Sequence, residues 1–253
     1  MRNLKLTLSY DGTDFNGWQT QPGYRTVQDT LEQAIAAVTG TRPHANASGR
    51  TDAGVHAVGQ IVNFYTDSLL SPDTLLRAVN AHLAADVVIR DAVEASQSFD
   101  ANKDAVRKLY RYVIRDNPVS DPFLRRFYAP SKHQLDAAAM ARASRVLLGR
   151  HDFHSFETDW PNRMSSVRTI THLSVNRAGD YIWIDVEADG FLYNMVRAIA
   201  GTLMNVGRGF WPESKVAEIL TAEDRTEAGP TAPACGLFLM RVAYDAKRGP
   251  EPR

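Results

Sequence analysis

Near the start of the chain, Leu4, Leu6 and Leu8 alternate with Lys5, Thr7 and Ser9. That period of two predicts a strand with one buried face, which Asp11-Gly12 then stops. The next apolar set, Val27, Leu31, Ala34, Ile35 and Val38, recurs at helical spacing. Thr26 supplies its N-cap, Asp29 suits the dipole of its first turn, and Gly40 ends it. A second strand is expected over 58–65. Ser71-Pro72 opens a further helix in cap-then-first-position order. Residues 87–93 and 106–115 read as strands, the latter ended by Asp116-Asn117-Pro118.

The pattern then repeats in kind, though no strict short repeat is visible. A helix is expected over 134–148, stopped by Gly149. Strands over 167–176 and 181–187 are joined through Arg177-Ala178-Gly179-Asp180, a hairpin signal. A long helix is expected from Phe191, with Leu192, Val196, Ile199 and Leu203 on one face. A short helix from Pro212 and a strand over 237–244 follow. The tail, 246–253, is polar with two prolines and is expected to be disordered. Strands and helices mix in both halves with a hairpin-like step in each, which predicts an α+β fold whose antiparallel sheets carry helices on one side. The expected division is 1–104, 105–245 and the tail 246–253.

Composition narrows the function. At 253 residues, with 44% hydrophobic and 23% charged residues, the chain can build an ordinary core without disulfides or metal. Its one cysteine, Cys235, cannot pair within the chain and excludes zinc fingers. A reducing, cytoplasmic setting fits that usage. No signal-peptide core follows Met1. No apolar run reaches the roughly 20 residues of a membrane span, because Asn194, Arg197 and Asn205 interrupt the best candidate. Lys plus Arg equals Asp plus Glu at 29 each, so any nucleic-acid site must come from segregated charge.

The most unusual segment is Ser48-Gly49-Arg50-Thr51-Asp52-Ala53-Gly54-Val55-His56-Ala57. Glycines on both sides let the backbone bend tightly and approach a ligand closely. The Gly-Lys-Ser/Thr ending of a phosphate-binding P-loop is absent. On spacing alone, Asp52 reads as a turn-shaping carboxylate as readily as a catalytic one.

This segment closely resembles the active-site motif of the TruA family of tRNA pseudouridine synthases, and further blocks follow the family's order. Tyr10 to Gln21, with Asp11-Gly12-Thr13-Asp14-Phe15-Asn16-Gly17-Trp18 inside it, is similar to the opening motif. Lys108-Leu109-Tyr110-Arg111-Tyr112 is similar to the tyrosine motif. Gly149-Arg150-His151-Asp152-Phe153, Phe191-Leu192-Tyr193-Asn194-Met195-Val196-Arg197 and Ala234-Cys235-Gly236-Leu237 match later blocks. The resemblance implies a pseudouridine-synthase fold, a homodimer, tRNA as partner, and action on uridines at tRNA positions 38, 39 and 40. It implies no cofactor or metal, since the reaction neither changes redox state nor adds an atom from outside.

The resemblance also assigns roles. Asp52 becomes the catalytic carboxylate, as nucleophile at C1′ or base at C2′. Arg197 becomes the cation that keeps it ionised. Tyr110 becomes the flat surface for the flipped base, with Tyr112 in the core. Arg50 fills the vacated stack or holds a phosphate. Asn194 stands where relatives vary and receives no role. RNA contacts are expected from Arg107, Lys108, Arg111, Arg115, Arg125, Arg126, Arg142, Arg145, Arg163 and Arg168, with Arg142 and Arg145 on one helix face. Two rival readings are a non-catalytic RNA-binding module using the Tyr110 strand and a metal-dependent hydrolase using His151, Asp152 and His154.

Overall fold

The computed structural model describes residues 1–158 and 165–245. The expected disordered tail and Arg163 lie outside them. In chain order the elements are β1 (Arg2–Tyr10), α1 (Val27–Thr39), β2 (Asn46–Ala47), β3 (His56–Thr66), α2 (Pro72–Asn80), β4 (Val87–Ala95) and β5 (Ala105–Arg115). Then come β6 (Ala129–Pro130), α3 (Ala137–Ser144), β7 (Gly149–Asp152), β8 (Val167–Ala178), β9 (Tyr181–Ala188), α4 (Met195–Gly207), α5 (Lys215–Ala222) and β10 (Leu237–Tyr244). Most strand neighbours are antiparallel and helices are few, so the α+β expectation is met.

The chain forms two compact units, Met1–Val106 with Phe238 onward, and Arg107–Leu237. The expected division kept the last strand with 105–245. The structure instead returns it to the first unit, where Phe238 and Leu239 pair in parallel with His56 and Ala57 of β3. Gly59 permits this approach, since a Cβ there would lie 2.5 Å from the Met240 carbonyl.

In the first unit, β1 pairs antiparallel with β3 on one side and β4 on the other. Leu4, Leu6 and Leu8 are fully buried, as their alternation requires. Capping signals set the helices. The Thr26 side chain accepts from the Asp29 amide and Gly40 leaves α1 at φ +78°. Ser71 accepts from Thr74 at the head of α2. The β1–β3 register shifts between Leu8 and Tyr10, a bulge-like irregularity of the kind found beside active sites.

In the second unit, β9 pairs with β5 and β8, and β7 adds to β8, all antiparallel. The β8–β9 hairpin closes on Gly179-Asp180, with Gly179 at φ +57°. Three expected helices begin later than their sequence signals. The one over 134–148 begins at Ala137, because Asp136 caps it through the Ala139 amide. Leu135 is held outside it by its amide bond to Asp116 Oδ2. It gives way to a 3-10 turn over Arg145–Leu147. The helix expected from Phe191 begins at Met195, because Asn194 adopts φ +62°. The short helix begins at Lys215 rather than Pro212. The two- to four-residue strands β2, β6 and β7 are too short to leave a periodic signal.

Candidate active-site residues in the two units

Asp52 lies in the turn that leads into β3, on a backbone fixed from several directions. The Thr51 carbonyl accepts from the Trp18 amide (2.9 Å), and the Gly54 amide donates to the Phe15 carbonyl (3.3 Å). The Val55 amide closes the turn onto the Asp52 carbonyl (3.1 Å), with Gly54 at φ +77°. Phe15 and Trp18 are buried beneath it. The opening motif is therefore the floor of the Asp52 loop. Its glycines show why: a Cβ at Gly12 would fall 1.9 Å from the Val55 carbonyl oxygen, and one at Gly17, itself at φ +85°, would fall 2.8 Å from that of Thr51. Only a residue without a side chain lets the two segments touch.

Side chains complete the loop. The Tyr10 and Thr51 hydroxyls bond at 2.8 Å. Gln60, fully buried in β3, accepts from the Ser48 hydroxyl (2.7 Å) and donates to the Gly49 carbonyl (2.8 Å). Burial pushes the Tyr10 phenol up to about 12, against the hydrogen bonds from Thr51 and Gln60 that pull it down. Asp52 is half-buried and Arg50 exposed, so the loop offers a carboxylate on a rigid backbone with a cation two residues away. Tyr10 and Gln60 received no role from the sequence. A glutamine among apolar neighbours in a strand phase is the signal that could have found Gln60, since a buried amide needs partners.

In the second unit, Tyr110 is 8% exposed and Tyr112 fully buried. The Tyr112 hydroxyl donates to the Pro233 carbonyl (2.8 Å), and burial holds its phenol well above the usual range. Tyr110 instead meets the edge of the Phe191 ring, with centroids 4.9 Å apart and planes at 83°. Arg197, in the first turn of α4, is half-buried. Its Nε donates to the Ala232 carbonyl and its Nη1 to Asn194 Oδ1, both at 2.8 Å. Both acceptors are neutral oxygens, and each fixes one nitrogen of the guanidinium.

The residues expected to contact RNA divide by environment. Arg111 is committed to Asp185 through two bonds of 2.7 and 2.8 Å. Arg142 is held by Glu213 at 2.6 to 3.1 Å. Arg107 lies 3.7 Å from Glu187. Arg115 is buried against Val119 and Asp180. Arg125 donates to the Pro122 carbonyl, and Arg168 to the carbonyls of Ser165 and Val167. Lys108 is half-buried, and that burial lowers its amine below the ordinary value. Arg145 is exposed in the 3-10 turn after α3. Of the hydrolase trio, His151 Nε2 bonds the Leu148 carbonyl and Asp152 accepts from the His154 amide, the local turn-forming role of such residues.

A family model described as tRNA pseudouridine synthase matches residues 7–104 and 143–245. The tRNA pseudouridine synthase A of Brevibacillus brevis is 45% identical over 244 residues, covering 96% of this chain and all of its own. That of Acetivibrio thermocellus is 43% identical over 244 residues with the same coverage. That of Moorella thermoacetica is 44% identical over 243 residues, covering 95% of this chain and 99% of its own. The chain therefore belongs to the tRNA pseudouridine synthase family, a family of isomerases that convert uridine to pseudouridine in tRNA. No helix among the described residues is long and apolar enough to cross a membrane.

Proposed function

We propose that this chain isomerises uridines at positions 38, 39 and 40 of the tRNA anticodon arm, with Asp52 as the catalytic carboxylate. The observation that carries the reading is the Asp52 loop itself. Its backbone is fixed on both sides by the opening motif, and its carboxylate is only half-buried. Such preorganisation keeps a reacting group in attack geometry without reordering during the reaction.

In the reaction the C1′–N1 bond breaks, the base turns and C1′ joins C5; C5 then gives up its proton to water and the freed N1 takes one up, so the product is an isomer of the substrate. Asp52 acts at the ribose, at C1′ or C2′. Arg197 is the cation that favours its ionised form, and Tyr110 is the surface against the turned base. Arg50, exposed two residues from Asp52, is the phosphate or stack-filling contact. Arg145, also exposed, is the more available of the remaining RNA candidates. Arg107, Arg111 and Arg142 already face carboxylates, so they would meet phosphate only at the cost of those pairs. Every heavy atom of the product comes from the nucleoside and only protons are exchanged with water, so no cofactor enters. The reading includes a homodimer in a cytoplasmic setting, and light scattering checks the dimer.

The test uses tRNA tritiated at uridine C5. Asp52→Asn keeps the side-chain shape and removes its charge. Release of label to water should cease, while tRNA binding stays within about threefold, since the lost charge acts on the transition state rather than on binding. Turnover by this variant near the wild-type rate overturns the assignment.

A further inference from the structure

We infer that Asn194 is a positioning residue for Arg197, setting the direction in which the guanidinium presents its charge during the reaction. This inference rests on the catalytic reading of Arg197 given above. Asn194 and Glu223 are the non-glycine residues with positive φ among the described residues. The left-handed region is unfavourable for any residue with a Cβ, and least so for asparagine and aspartate. Asn194 sits there directly before α4, where an asparagine normally caps the helix with its side chain. Here the side chain makes no capping bond. Instead its Oδ1 accepts from Arg197 Nη1 (2.8 Å) and its Nδ2 donates to the Thr158 hydroxyl (3.0 Å).

Chemistry fixes the orientation of this amide. Turned over, it would point two N–H groups at a guanidinium that has only donors. The Thr158 end is itself anchored, because the Thr158 amide donates to the Tyr193 carbonyl (3.1 Å). On the other side, Arg197 Nε is bound to the Ala232 carbonyl, and the Ala232 amide returns a bond to the Arg197 carbonyl (3.1 Å). The planar guanidinium is thus gripped at two atoms by neutral oxygens on two different segments. Two N–H···O bonds that leave the guanidinium in different directions within its own plane fix how that plane is turned, so the charge is presented in one orientation. A helix-capping role alone would need neither the contact with Arg197 nor the one with Thr158.

The experiment compares four full-length variants by tritium release, with kcat and KM for tRNA, the pH–rate profile and thermal melting measured on each. Asn194→Gly accepts the positive φ readily and deletes only the amide. Thr158→Val releases the far end of the same amide. Arg197→Met removes the cation, and the fourth variant combines it with Asn194→Gly. For Asn194→Gly we expect kcat to fall roughly tenfold with KM little changed, the signature of an interaction that matters in the transition state. Its acid limb should move to higher pH, in the direction of Arg197→Met but less far. Thr158→Val should show the same changes in weaker form, which keeps the test alive if Asn194→Gly folds poorly. The combined variant should be no slower than Arg197→Met alone. Wild-type kcat and acid limb in Asn194→Gly, beside a shifted Arg197→Met, overturn the inference about Asn194. So does a fall in kcat that merely tracks a lowered melting temperature with an unmoved acid limb. An unshifted Arg197→Met overturns the reading of Arg197 itself, a distinguishable result.

Discussion

The Asp52 loop and the Arg197 segment are both held firmly, by opposite means. The loop in the first unit is held by backbone against backbone. Gly12 and Gly17 bring two chain segments into contact, and the bonds that fix the backbone on either side of Asp52 run from amide to carbonyl. The segment in the second unit is held by side chains, with an asparagine in an unfavourable conformation and a threonine aligning one arginine. Backbone closure is all-or-none, because nothing in it can shrink. Side-chain alignment is graded, because each bond can be removed alone. The first unit should therefore fail by misfolding and the second by losing rate.

Gly12→Ala should give the largest effect. A methyl group 1.9 Å from the Val55 oxygen must move the loop or β3. Overpacking of backbone should cost roughly 3 kcal/mol or more, read as a lower urea midpoint together with lost tritium release. Gly40→Ala is the contrast. Its φ of +78° carries strain, but no atom lies within 4 Å of the new Cβ. It should cost about 1–2 kcal/mol and leave turnover intact. Equal losses in the two variants would mean that conformation, not contact, explains Gly12.

Tyr110→Ala comes next and probes the second unit. If the ring receives the turned base, RNA engagement should weaken by roughly 1–3 kcal/mol, measured by filter binding at fixed salt. Tyr110→Phe keeps the ring against Phe191 and should bind tRNA normally. Wild-type binding and turnover in both variants would assign Tyr110 to packing.

The smallest effect expected is that of Tyr10→Phe. It removes the bonds to Thr51 and Gln60 but keeps the buried ring, at a net cost of about 1 kcal/mol. Its signature is in pH. The phenol is held near 12 in the folded protein, whereas in the unfolded chain it ionises near about 10. As pH rises between these values the unfolded chain loses its proton first, so stability falls across that window. Melting temperatures of Tyr10→Phe should therefore decline less steeply than wild type from about pH 10 to 12. Parallel slopes would show that Tyr10 does not titrate as its burial demands.

Sequence by itself determined what is local. Alternating leucines gave β1, Thr26 and Gly40 bounded α1, Gly179 closed the hairpin, and the apolar run over 237–244 was the last strand to the residue. The motif around Asp52 and its order among the other blocks identified the family. Tertiary structure alone decided the rest. Periodicity ran the α4 pattern back to Phe191, because apolar spacing does not register a single left-handed residue; Asn194 stops the helix there and turns its amide onto Arg197. Which arginines are already paired was equally hidden. Arg111 meets Asp185 and Arg142 meets Glu213 across more than seventy positions, through strand pairing and packing. Caps and periods act over a few residues and are written into the chain where they act. An ion pair or a Cβ-free contact depends on which distant segment folds against it, and that is settled only when the whole unit has closed.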